Sequence, residues 1–125
     1  MRITLLAGQL LLTPPLGTTE IPGAVTHEDL SLVTGALQVA TTTASTRVGP
    51  TIAIQCGPDG ATWYAMTTPV AASVGSLTTP KRGTLVDYEA IPPQCRVEDA
   101  WIRAVTANGN GIGTLTVANI AVKVR

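Results

Sequence analysis

Between Thr51 and Met66 the chain reads TIAIQCGPDGATWYAM, two alternating runs around Gly57-Pro58-Asp59-Gly60. Pro58 presets φ for a tight turn, Asp59 can accept hydrogen bonds from the backbone that follows it, and Gly60 takes a positive φ that other residues avoid. Ile52, Ile54 and Cys56 then share one face of the outgoing strand, and Trp63 and Ala65 share a face on the return. That pattern specifies a β-hairpin. The same punctuation recurs along the chain, where 12 Gly and 9 Pro interrupt every apolar run at short intervals. The elements must therefore be many and short. The apolar share is carried by Ala, Val, Leu and Ile, with no Phe at all, and β-branched side chains favour strands. The fold class that follows is all-β: an antiparallel β-sandwich, jelly-roll-like, with about eight short strands in one domain over residues 1–125.

Charge narrows the partners. Lys+Arg and Asp+Glu each number 8, only 13% of residues are charged, and the formal net charge is zero. Such a chain offers no basic field to hold phosphates, so nucleic acid is not an expected partner. A surface with so little charge also does little to repel other copies of itself, which points to a homo-oligomer or a lattice component. The opening MRITLLAGQLLL places Arg2 before an apolar run, as a signal peptide would. Gly8 and Gln9 break that run, however, no small-residue cleavage pattern follows promptly, and Pro14-Pro15 come next. It is too short to cross a membrane as a helix, and no membrane is expected as a partner. Residues 1–16 read as one or two strands, or as an extended apolar arm that a neighbouring subunit covers. Leu5, Leu10, Leu11 and Leu12 are its candidate contact residues.

Further along, Pro14, Pro15, Gly17, Pro22 and Gly23 make Thr13 to Asp29 read as loop. Leu30–Val33 and Leu37–Thr43 are strand candidates, and the Thr41–Thr46 run reads as an exposed strand edge or a loop. A weak strand is expected at Ala71–Leu77. Gly83–Ala90 alternates as a half-buried strand with Asp87 and Glu89 on one face, stopped by Pro92-Pro93. Trp101–Ala107 is a strong strand, and Asn108-Gly109-Asn110-Gly111 turns the chain into the last one. In that last strand Leu115 and Val117 share a parity that Ile120, Val122 and Val124 do not. Keeping one apolar face inward requires an extra residue, so a β-bulge is predicted near Ala118-Asn119.

Residues that could carry chemistry are few and scattered. His27 sits beside Glu28 and Asp29, but no further ligand stands at a workable spacing and neither Thr26 nor Ser31 makes a convincing nucleophile, so the group reads as a polar turn. Asp87 and Glu98 could form a glycosidase pair only by accident of folding, because nothing in the pattern specifies it. The NGNG run joins strand to strand and is no phosphate loop. Cys56 and Cys95 could be bridged only with Cα atoms within about 7 Å, and they read as reduced thiols packed as small hydrophobes. No catalytic residue, cofactor or metal site is expected, and the chain does not read as an enzyme. The aromatics Trp63, Tyr64, Tyr88 and Trp101 make the best case for a binding surface. Trp63 and Tyr64 are neighbours on a strand and point to opposite faces, so one of them is expected outside. Tyr64 is the candidate, with subunit contact as its first role, plain surface as the second and stacking on a sugar ring as the third.

The hairpin TIAIQCGPDGATWYAM and the closing WIRAVTANGNGIGTLTVANIAVKV together resemble small β-sandwich virion proteins of tailed bacteriophages. In those proteins a strand resembling valine-threonine-isoleucine-glutamine leads into Ser/Gly-Pro-Asp-Gly and then Thr-Trp-Tyr, and the last hairpin reads like Ile-Arg-Ala-Val followed by Gly-Thr-Leu-Thr-Val. Residues 51–66 and 101–117 carry the likeness. It implies a structural role with no catalytic residues: a decoration or cement protein on the capsid surface of the virion, or a neck, tail or spike component. Made in the host bacterial cytoplasm, such a protein would bridge subunits of the major capsid protein or copies of itself. A carbohydrate-binding module is the alternative reading.

Overall fold

The computed structural model describes residues 2–13, 15–27, 36–45, 50–67, 69–71, 81–82, 86–107 and 113–124. Along them run ten strands: β1 (Arg2–Leu12), β2 (Thr18–His27), β3 (Ala36–Ser45), β4 (Thr51–Gly57), β5 (Tyr64–Ala65), β6 (Val70–Ala71), β7 (Lys81–Arg82), β8 (Val86–Ala90), β9 (Ala100–Ala107) and β10 (Leu115–Val124). A 3₁₀ turn at Pro93–Cys95 precedes β9. One antiparallel sheet runs β1-β10-β3, with β7 and β8 both against β3; the other runs β2-β9-β4, with β5 and β6 both against β4. Counting β5 with β6 and β7 with β8 gives eight sheet positions. The chain crosses between sheets at each step from β1 to β4, and again from β6 to β7, from β8 to β9 and from β9 to β10. That is the order of a jelly-roll β-sandwich.

The core lies between the sheets and is made by alternation. Ile52, Ile54 and Cys56 of β4 and Ile102 and Ala104 of β9 face Val39, Leu115, Val117, Ile120 and Val122 of the other sheet, all buried. Branched aliphatic side chains fill the roughly 10 Å gap between packed sheets without aromatic bulk. This explains how a chain without Phe closes a core.

In β10 the expected bulge is present. Its pairing with β3 shifts between Ala118 and Ala121, and Asn119 takes a φ of 54°. Leu115 and Val117 are buried before it, Ile120 and Val122 after it. The partner strand breaks at the same level, since the β1–β10 register shifts between Leu6 and Gln9. Gly8, with φ 86°, donates its backbone N–H to Asn119 Oδ1 at 3.1 Å. One side chain thereby satisfies a donor that the interrupted ladder exposes.

Three expectations are corrected. Thr18–His27 is a strand, not loop, and it holds His27. Pro22 and Gly23 do not prevent it, because β2 is a sheet edge where a missing N–H is tolerated and the register with β9 breaks between Ile21 and Val25 to pass them. Gly23 has a φ of 135° and no room for a side chain, since a Cβ there would be driven into the Leu5 carbonyl. The Thr41–Ser45 run is neither an exposed edge nor a loop: β3 is flanked by β10 on one side and by β7 and β8 on the other, with Thr43 and Ser45 buried. Cys56 and Cys95 form a disulfide, with Cα atoms 6.0 Å apart. Proximity across 39 positions comes from the 3₁₀ turn folding back under β4, which no spacing rule encodes. The expected strand at Leu30–Val33, most of Ala71–Leu77 and the turn at 108–111 lie outside the described residues.

Candidate functional site

The outward face of the β2-β9-β4 sheet collects the polar and aromatic side chains that alternation denies to the core. On β9, Ile102 and Ala104 point inward, so Trp101 and Arg103 point out. Arg103 pairs across the sheet with Gln55 of β4, and Trp101 with Gly57. Gln55 Oε1 accepts from both Arg103 Nε at 3.0 Å and Arg103 Nη2 at 2.8 Å. Held by that fork, the guanidinium lies over the ring of Trp63, 4.0 Å from its centroid. Stacking a cation on an aromatic face in this way fixes both groups.

The hairpin loop supplies the next wall. Asp59 Oδ1 accepts from the backbone N–H groups of Ala61 at 2.9 Å and Thr62 at 2.8 Å, and Gly60 takes a φ of 75°. These two donors, Thr62 first, hold the Asp59 carboxyl below the ordinary aspartate range by stabilising its charged form. The loop folds against Trp101: a Cβ on Gly60 would stand 3.0 Å from the indole Nε1. With Glu20 of β2 the groups close a cleft of about 360 Å³ lined by Glu20, Asp59, Gly60, Trp63, Trp101 and Arg103. Trp101 is 38% exposed in it.

The expected contact residues are not brought together. Leu5 belongs to the core of this chain at 6% exposure, and Leu10, Leu12 and Tyr64 are half-buried against that core. Leu5 is thereby removed from the candidate contacts. Of the five, Leu11 alone is exposed, at 55%, and the loop after β1 adds Leu16 at 68%. The segment 2–12 is itself an edge strand of the first sheet. In the Trp63-Tyr64 pair it is Tyr64 that packs against the core and Trp63 that carries the arginine. Parity along β9 places Trp101 and Arg103 outside together; the convergence with Trp63 and Glu20 needed the β9–β4 and β9–β2 registers. Among the described residues no group of three or more His, Cys, Asp or Glu is placed to hold a metal ion, and no helix is long and apolar enough to cross a membrane.

No family model matches the sequence, and no curated protein is similar to it in sequence. Solved structures do share its fold. One, described as "CBM4 structure and function", superposes with a TM-score of 0.57 at 15% identity, covering 94% of this chain and 84% of that one. Another, a chain from the structure of infectious bursal disease virus, Gx strain, superposes with a TM-score of 0.52 at 13% identity and covers 100% of this chain. This chain spans 36% of that viral chain. At such identities the likeness is one of fold, a β-sandwich found in both a CBM4 and a viral protein.

Proposed function

We propose that this protein is a non-enzymatic virion component of a tailed bacteriophage, a decoration or cement protein that bridges subunits of the major capsid protein. The observation that carries the reading is β1. It lies at a sheet edge, pairs only with β10 among the described strands, and carries exposed Leu11 near its end, with exposed Leu16 in the loop that follows. An apolar edge of this length is a liability in a free monomer and an asset in a lattice, because another chain can add backbone pairing and cover the leucines together. Low charge supports association, since 13% charged residues with zero net charge raise little repulsion between closely set copies. A viral chain with the same fold supports it as well. The Cys56–Cys95 bridge suits a particle that leaves the reducing cytoplasm for an oxidising exterior, in which a disulfide persists.

Quantitative mass spectrometry of purified particles tests the reading. A ratio of about one copy per shell subunit, or one per local threefold, is the expected result. About a dozen copies or fewer would move the protein to the neck, tail or a spike, and its absence from particles would overturn the structural role. Leu11→Asp together with Leu16→Asp should leave the fold intact and lower occupancy on the shell. Unchanged occupancy would remove β1 from the interface.

A further inference from the structure

We propose that the cleft between Trp63, Trp101, Arg103, Gly60, Glu20 and Asp59 binds a neutral saccharide. The protein has only two tryptophans, and both line this one cleft on the outward face of a sheet. Neither contributes to the buried core, so the sandwich does not explain them. Their surroundings are fixed before any ligand arrives. Gln55 holds Arg103 by two hydrogen bonds, Arg103 covers one face of Trp63, and the Asp59-capped loop braces Trp101 through Gly60. A site in which side chains are already ordered loses little entropy on binding.

The chemistry of the wall selects the ligand. Glu20 and Asp59 outnumber Arg103 by one charge, so a phosphate or an acidic sugar meets net repulsion. A cationic ligand would have to share Trp63 with a guanidinium already stacked on it, and is disfavoured for that reason. What remains is a neutral molecule with an apolar face for the exposed indole of Trp101 and several hydroxyls for the polar rim. A pyranose fits both demands: its axial C–H groups make one face apolar, and its equatorial hydroxyls donate to carboxylates and accept from a guanidinium. At about 360 Å³ the cleft is within the range of ordinary small-ligand sites. The inference stands apart from the assembly reading, because β1 belongs to the other sheet.

Intrinsic fluorescence provides the test, since both tryptophans report on the cleft. The full chain is titrated with neutral oligosaccharides, tetramers of hexoses and of N-acetylhexosamines, and with their acidic counterparts and a proline-rich peptide as competitors for the same aromatic surface. The expected result is a saturable emission change with at least one neutral series. Trp101→Ala should weaken binding by about tenfold or more, and Glu20→Gln by several-fold, in line with the loss of one stacked ring or one charged acceptor. Trp101 is a surface side chain, so circular dichroism of Trp101→Ala should match the parent, and Leu11→Ser should bind as the parent does. No response to any neutral series would overturn the proposal. So would tighter binding of an acidic saccharide or of the peptide, or binding that Trp101→Ala leaves intact. None of these results alters the copy number in particles, so the two readings fail separately.

Discussion

Around the β4–β5 hairpin each principal strand is held from both sides. β9 pairs with β2 and with β4, and β4 pairs with β9 and with the short strands β5 and β6. A disulfide ties β4 to the turn before β9, and the hydrogen bonds to Asp59 and Gln55 and the stacking of Arg103 on Trp63 organise the surface above it. β1 is the opposite case. Among the described strands it has a neighbour on one side, its ladder is broken twice, and a hydrogen bond from Gly8 N–H to the Asn119 side chain bridges the larger break. Both regions use the same core, but the first fixes side chains in advance, which the saccharide proposal needs, while the second leaves a strand edge and exposed Leu11, which the assembly proposal needs. Order at one edge of the sandwich and incompleteness at the other are what a protein that both binds and assembles would need.

The largest test of that contrast is removal of the bridge. Closing a chain across 39 positions restricts the unfolded ensemble by about 4 kcal/mol on the loop-entropy relation. Cys56→Ser with Cys95→Ser should therefore lower the melting temperature by roughly 10 °C or more, read by calorimetry with and without reductant on the parent. Both sulfurs are buried, so the double variant also places two hydroxyls in the core and sets an upper limit; the reduced parent gives the cleaner value. A reduced protein that melts within about 2 °C of the oxidised one would break the comparison.

The next effect belongs to β1. Asn119→Ala removes the acceptor for Gly8 N–H and leaves an alanine at φ 54°, which together should cost about 1–2 kcal/mol. Asn119→Gly relieves the backbone while still losing the hydrogen bond, and should recover part of that loss. Amide exchange should quicken in Ala7–Leu12 far more than in β4 or β9. Equal loosening of all three strands would mean that β1 is no weaker than the rest.

Most of the architecture was legible because it obeys local rules. The GPDG turn, the strand over Trp101–Ala107 and the parity break at Asn119 each follow from side-chain alternation or turn chemistry, and each is present. What failed depended on neighbours. Pro22-Gly23 reads as a stop unless one knows that β2 lies at an edge and passes close to the Leu5 carbonyl. The threonine run reads as surface unless β3 is known to be central, and Cys56 with Cys95 reads as two thiols until the 3₁₀ turn brings them together. The cleft shares that dependence. Parity in the Trp101–Ala107 strand sets Trp101 and Arg103 on one face, yet the choice of Trp63 over Tyr64 as the outward ring is decided by Tyr64 packing on the core.

The smallest effect is a pH response confined to the ordered side. Asp59 has its carboxyl pKa lowered by the backbone donors of Thr62 and Ala61, so its folded value lies below that of the unfolded chain. A depressed pKa means that the loop is stabilised above the unfolded value, near pH 3.9. That contribution is lost as pH falls through the lower folded value, where protonation weakens the acceptor. Because Gly60 packs the loop on Trp101, loosening should appear as a change in tryptophan emission below about pH 3.9, while far-ultraviolet circular dichroism still reports an intact sandwich. Asp59→Asn should abolish the step, since an amide oxygen accepts the same bonds without titrating. An emission change that persists in Asp59→Asn would show that the response does not come from Asp59. A change that coincides with loss of the far-ultraviolet signal would show that the hairpin loop has no transition of its own, and that the rigid side of the molecule melts as one with the rest.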